Sequence, residues 1–295
     1  MSMWKEDART EVCSASAESK QLRIPPADPY FFLPKGLISN LERFQKLSRK
    51  HPVNILVTGK QGCGKSSLVR QFAAKFQRPL TTFQMGLLSE PGQLFGEQRL
   101  RQGETFYQEF LFPKAITTSR SVIHLEEINR PEHPKALNEL YSVLSEDRCI
   151  WVDEMGTVEV ADEVMFFASI NEGPEFAGVD ALDAALRDRF YPLRIDYLPQ
   201  TVEEKVLVLK AGISESQAHD VMNIIYALRS NPQQAITVST RHSLMVAELL
   251  AAGASLKEAF IYSMDVNKDI LESCLLSIHL TRDEVEVAAE EYELF

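Results

Sequence analysis

The stretch VNILVTGKQGCGKSSLVRQF, residues 53–72, restricts what this chain can fold into more than any other. Val53 to Thr58 is a short β-branched run, glycines follow at once, and Leu68, Phe72 and Phe76 then recur at helical spacing. The order is strand, loop, helix. The loop GKQGCGKS, Gly59 to Ser66, satisfies G-x-x-x-x-G-K-[ST] in the setting that pattern requires, which argues against a chance glycine turn. Glycines let the backbone wrap closely round phosphate oxygens, and the helix N-terminus adds amide donors and a favourable dipole. Lys65 can reach the outer phosphates, and the Ser66 hydroxyl can ligate Mg²⁺. The nucleotide-binding set is therefore Gly59, Lys60, Gln61, Gly62, Cys63, Gly64, Lys65, Ser66 and Ser67. Cys63 is most simply a filler at a variable position.

Further apolar runs at Leu80–Met85, Ser121–Leu125 and Glu163–Ile170 read as strands, with helical patterns such as PKALNELYSVLSED between them. Alternation of this kind implies an α/β fold, a mostly parallel sheet covered by helices on both faces. After about Leu198 strand-like runs give way to helical ones: TVEEKVLVLKAG, SESQAHDVMNIIYALRSN, STRHSLMVAELLAAG and SLKEAFIYSM. Ser255 with Glu258 and Thr281 with Glu284 have capping-box spacing. We expect a polar, flexible segment over residues 1–23, an α/β core over 24–198, and a smaller helical domain over 199–295, hinged at Pro199 and Gln200.

Composition narrows the function classes. A chain of 295 residues, 45% hydrophobic and 25% charged, can bury a sizeable core. Its net charge of −11 works against a surface that neutralises nucleic-acid phosphates. Cys13, Cys63, Cys149 and Cys274 are scattered without metal-site or redox spacing, which fits a reducing compartment. With no secretion segment and no span suited to a bilayer, the expected location is the cytoplasm.

The stretch VIHLEEINRP, residues 122–131, begins as a buried strand and ends in two adjacent carboxylates. Alone, Glu126 and Glu127 would be a solvated strand end. Beside a phosphate loop they acquire a counterpart, with Glu126 facing the metal and Glu127 orienting and deprotonating the attacking water. HLE also matches the H-x-E of zinc deaminases, but the partner P-C-x-x-C is absent, so His124 is read as a packed strand histidine.

Four segments, GKQGCGKS, LEEINRP, FFASINEGPEFAGVDALDAALRDRF and STR, together resemble the MoxR branch of AAA+ ATPases. Relatives there include the CbbQ/NirQ group and the ATPase subunit of cobaltochelatase. The resemblance runs from about Pro29 to the last helices. It implies an AAA+ P-loop core followed by a helical lid. It makes Asn171 of ASIN the sensor 1 residue that helps position water, Arg189 of DRF an arginine finger for a neighbour's nucleotide, and Arg241 of STR the sensor 2 residue. Arg187 is a second candidate finger. EPGQLFGEQRLRQGETFYQEFLFPKA resembles the helix-2 insert, a hairpin with Gln102 and Gly103 near its tip. CIWVDEMGTVEV, Cys149 to Val160, resembles the hairpin before sensor 1, turning at Glu154–Gly156. Phe106, Tyr107, Phe110 and Phe112 are read as packing residues rather than client contacts. One departure is Glu126, where the family usually has Asp.

The resemblance implies an ATP- and Mg²⁺-dependent remodelling motor, a homo-oligomer in a hexameric ring, acting on a protein client. A partner with a von Willebrand factor A domain is one way such motors select clients. Two other readings stand beside it. One is a nucleotide-gated scaffold with negligible turnover. The other is a nucleic-acid motor using GTP or ATP, which the acidic charge disfavours.

Overall fold

The computed structural model describes residues 22–101, 103–171, 182–230, 237–264, 268–277 and 292–295. Along the chain run β1 (Phe32–Pro34), α1 (Lys35–Leu47), β2 (Val53–Gly59), α2 (Lys65–Lys75) and β3 (Leu80–Gln84). A hairpin follows, β4 (Gly96–Arg101) with β5 (Glu104–Glu109), and then α3 (Leu111–Ile116), β6 (Val122–Glu126) and α4 (Asn138–Val143). A second hairpin, β7 (Cys149–Val152) with β8 (Gly156–Glu159), precedes β9 (Met165–Asn171), α5 (Ala184–Arg187) and β10 (Tyr191–Arg194). The helices α6 (Gln200–Ala211), α7 (Glu215–Ser230), α8 (Thr240–Ala251), α9 (Leu256–Ser263) and α10 (Lys268–Ser277) come next, and β11 (Tyr292–Leu294) is the last element.

The apolar runs become central strands because both of their faces are covered. Val53, Ile55 and Val57 of β2 face a cluster with Leu68, Val69 and Phe72 of α2, whereas Leu56 faces the opposite cluster with Phe112, Leu140 and Phe166. Successive side chains on a strand point to opposite faces, so an unbroken apolar run suits a sheet covered on both sides. The five strands lie in the order β10-β2-β9-β6-β3, and every neighbouring pair is parallel. Their carboxyl ends therefore meet along one edge, where open α/β sheets bind ligands.

The helices after β10 enclose a separate apolar cluster that includes Val221, Ile225, Val246 and Phe260. Ser255 caps α9 and forms the expected capping box with Glu258, whereas Thr281 and Glu284 lie outside the described residues. The helical reading of the chain beyond Leu198 has one exception: β11 pairs antiparallel with β1 beside the α/β core. The pattern PKALNELYSVLSED gives a 3₁₀ turn over Pro134–Leu137 and a short α4 instead of one helix. Among the four aromatic residues of the first hairpin region, Phe112 is fully buried, Tyr107 and Phe110 are half-buried, and Phe106 is exposed. No helix among the described residues is long and apolar enough to cross a membrane.

Candidate nucleotide site

Strand register assembles the site. Gly59, where β2 enters the phosphate loop, pairs with Asn171 at the end of β9, and Gln84 at the end of β3 pairs with Glu126 at the end of β6. A cavity of about 830 Å³ opens over this edge and is lined by Gln61 through Ser67, Glu126, Glu127, Asn171 and Arg241. Its volume is in the range of small-molecule and cofactor sites.

The loop holds its shape through glycine and lysine. Gly64, the N-cap of α2, sits at φ 100°, and Gly62 at φ 70°, a region where a side chain is strained. A Cβ on Gly62 would also lie 2.3 Å from the Ser239 Cβ, and one on Gly59 would lie 2.2 Å from the Ile195 carbonyl oxygen. Lys65 is buried, and its Nζ donates to the carbonyls of Gly59 at 2.8 Å and Lys60 at 2.7 Å. The ammonium is thus curled within the loop whose phosphates it would meet. Burial pushes the Cys63 thiol pKa up even though Lys65 pulls it down, so the reactive thiolate is disfavoured there.

The two carboxylates avoid each other through the backbone. Glu127 adopts φ 54°, which turns the chain sharply after β6 and sends adjacent side chains to different partners. Glu126 accepts from the Ser66 hydroxyl through one oxygen and from the Gln84 amide through the other. Glu127 accepts from Asn171 Nδ2 at 2.8 Å and from Arg130 at 3.2 Å. Ser169 Oγ lies 3.4 Å from the Glu127 amide and 3.3 Å from His124 Nε2. His124 is almost fully buried, and that burial pushes its pKa down to about 4, so it is a neutral packed residue.

The arginines fall into two groups. Arg241, in the first turn of α8, lines the cavity, whereas neither Arg187 nor Arg189 does. Arg187 is exposed at the end of α5. The Arg189 guanidinium lies 5.1 Å from the Tyr141 ring centroid and donates to the Tyr141 and Ala185 carbonyls. Asn54, buried in β2, donates to the Arg189 carbonyl at 3.1 Å and fixes this segment to the central strand. Asp183 caps α5 by accepting from the amides of Ala185 and Leu186.

Several contributors had no signal in the sequence. The Gln84–Glu126 bond emerges only from strand register, because an isolated glutamine at a strand end is unremarkable. The same holds for Tyr197, whose hydroxyl donates to the Gln61 carbonyl at 2.8 Å while Arg229 stacks 4.3 Å from its ring centroid. Arg229 in turn forms a paired contact with fully buried Glu203 at 2.9 and 3.0 Å. The phosphate loop is thereby tied to the helical part. Tyr30, Phe31, Leu33 and Leu37 of the start segment also line the cavity, with Tyr292 from β11 among the lining residues.

A phosphate loop after the central strand, paired acids on a neighbouring strand and an asparagine on the strand between them define a P-loop nucleoside triphosphatase. Residues 54–190 match the family model described as AAA domain (dynein-related subfamily). The chain is 56% identical over 274 residues to BssE, a candidate chaperone of Thauera aromatica, covering 93% of this chain and 96% of that one. It is 26% identical over 241 residues to NorQ of Paracoccus denitrificans (strain Pd 1222), covering 80% and 87%. The RuvB Holliday junction branch migration motor of Thermotoga maritima has the same fold, with a TM-score of 0.52, 16% identity, and coverage of 88% of this chain and 74% of that one. The chain belongs to the MoxR branch of AAA+ ATPases, and it is an ATP hydrolase.

Proposed function

We propose that this chain is one subunit of a ring, a hexamer, that hydrolyses ATP with Mg²⁺ to remodel a protein client chosen through a separate adaptor. The observation that carries the reading is the division of the arginines. One chain gathers Lys65, Ser66, Glu126, Glu127, Asn171 and Arg241 round a single cavity, yet leaves Arg187 and Arg189 off it. An arginine held away from its own nucleotide is placed to act across a ring interface, where such a finger would stabilise charge on the transferring phosphoryl group of a neighbour's nucleotide.

Within the site, Ser66 and Glu126 place oxygen donors side by side, a set that suits a hard cation such as Mg²⁺. Among the described residues no cluster of three His, Cys, Asp or Glu exists, so this pair would share the cation with nucleotide and water oxygens. When bound, the cation would neutralise charge on the outer phosphates. Glu127 takes the proton of the attacking water, and Asn171, bonded to it, fixes its orientation. Arg241 reports the nucleotide to the lid because it stands on the first turn of α8.

The division into a core over 24–198 and a lid over 199–295 belongs to this reading, with β11 returning to the core. The two hairpins carry its output. Gln98 of β4 donates to Glu154 at the β7–β8 turn at 2.9 Å, so they would move together. Leu100 and Trp151, 74% and 67% exposed, offer apolar surface to a client. The description of BssE as a candidate chaperone supports a protein client, and a partner with a von Willebrand factor A domain is the adaptor type we favour.

Mixing tests the shared site. Arg189→Ala and Glu127→Gln should each bind ATP and hydrolyse it poorly, because each lesion disables every interface of a pure ring. Co-assembled, the two variants form some interfaces with an intact Glu127 on one side and an intact Arg189 on the other. Phosphate release should then partly recover. No recovery from demonstrated mixed rings counts against Arg189 as the shared finger.

A further inference from the structure

We propose that β11 forms part of the nucleobase wall, with Tyr292 in contact with the base, so that nucleotide binding and docking of residues 292–295 stabilise each other. This rests on the reading of the cavity as the ATP site. The phosphate loop supplies a polar part of the lining. The same cavity also has aromatic and aliphatic lining, from Tyr30, Leu37, Val206, Leu244 and Tyr292. A flat base is the portion of a nucleotide that gains from such a lining, through apolar burial and ring contact.

Register places Tyr292 there. β11 pairs with β1 as Phe32↔Leu294, Leu33↔Glu293 and Pro34↔Tyr292, and the Phe295 amide extends the ladder to the Phe31 carbonyl at 3.0 Å. Two strands of three residues do not hold together unaided in water. The pair is fastened to α2, the helix that carries the phosphate loop. Gln71 of α2, buried at 4% exposure, donates to the Phe295 carbonyl at 3.0 Å and to the Asp28 carbonyl at 2.9 Å. Its carbonyl oxygen accepts from the Asp28 amide at 2.7 Å. One side chain thus holds both the start segment and the last strand. Lys75, also on α2, lies 4.3 Å from the Phe295 ring centroid, and that ring packs on the core. Asp28 reaches across to Lys210 of α6, which itself lines the cavity.

The clasp therefore joins three parts of the wall: the start segment, the last strand and the lid. A ligand that contacts Tyr292 must favour the docked strand, and the docked strand must favour that ligand by the same factor. A ligand consisting of phosphates alone has no base to place against Tyr292 and should be indifferent.

That difference is the test. ATP and inorganic tripolyphosphate are titrated by calorimetry into the wild-type chain, Tyr292→Ala, Tyr292→Phe, Phe295→Ala and Lys65→Ala. Tyr292→Ala and Phe295→Ala should weaken ATP about tenfold, the scale of a lost aromatic contact, and leave tripolyphosphate unchanged. Tyr292→Phe, which keeps the ring, should bind ATP as the wild type does. Unchanged ATP affinity in both alanine variants overturns the proposal, as does an equal loss for both ligands. Hydrogen exchange on the wild-type chain is independent of any folding defect. ATP should protect the amides of residues 292–295 and tripolyphosphate should not, and equal behaviour overturns the inference. Lys65→Ala should weaken both ligands, and if it weakens neither, the phosphate site itself is wrong.

Discussion

Lys65→Ala is expected to weaken ATP binding by about ten- to a hundredfold, the range for losing a hydrogen-bonded charge from a buried site. Lys65 is 7% exposed and its ammonium is held by two carbonyls of its own loop, so it is fixed before any nucleotide arrives. Outer phosphates offer that charge better acceptors than neutral carbonyls do, because the ammonium then meets full opposite charge in a site partly shielded from water. Alanine is a good helix former and Lys65 opens α2, so the helix should persist and the melting temperature should change little. The loss should therefore appear in ligand titration and not in thermal unfolding. Unchanged affinity for ATP would mean that the phosphates bind elsewhere.

The phosphate loop and the central strands were legible because each carries its own local signature. β2, β6 and β9 are short apolar runs whose faces are both buried, and the glycine spacing after β2 has one structural use. Glu126, Glu127 and Asn171 are then drawn to one edge by parallel register, which a motif match anticipates without deriving. The base end of the cavity was not legible. It depends on pairing residues 32–34 with 292–294, and three-residue strands show no periodicity. Ser239 heads α8 with a capping box, but His242 replaces the usual Glu or Gln, so the box was missed from the sequence. The long helical pattern near Pro134 was shortened because the chain opens as a 3₁₀ turn at that proline. Phe106 departs from its expected packing role because it sits on the exposed β4–β5 hairpin, where Arg99 is its cross-strand partner.

The phosphate loop is fastened on two sides to the helical part of the chain. Gly62 abuts Ser239 at the start of α8, and the Gln61 carbonyl accepts from Tyr197, whose ring lies against Arg229. Arg229 is anchored by buried Glu203, and Ser243 of α8 donates to the same carboxylate at 2.6 Å. A shift of the loop backbone is therefore passed to packed, fully bonded side chains, which move as a body more readily than they deform.

Glu127→Gln is expected to lower turnover by about a hundredfold or more, the scale of losing a general base, while ATP binding and assembly persist. Glutamine keeps the size of the side chain and its bond to Asn171 but cannot accept the proton of water. The contact with Arg130 loses its charge as well, yet both partners are substantially exposed, so little stability should go with it. Glu126 should respond differently because its oxygens meet Ser66 and Gln84 instead. Glu126→Gln should raise the Mg²⁺ concentration needed for half-maximal turnover, and Glu126→Asp should keep or increase hydrolysis, since a shorter acid crowds the cation's water shell less. Phosphate release measured against Mg²⁺ for the wild type and the three variants separates the roles. If Glu127→Gln turns over normally and Glu126→Gln is inactive, the division of labour between the two carboxylates is reversed.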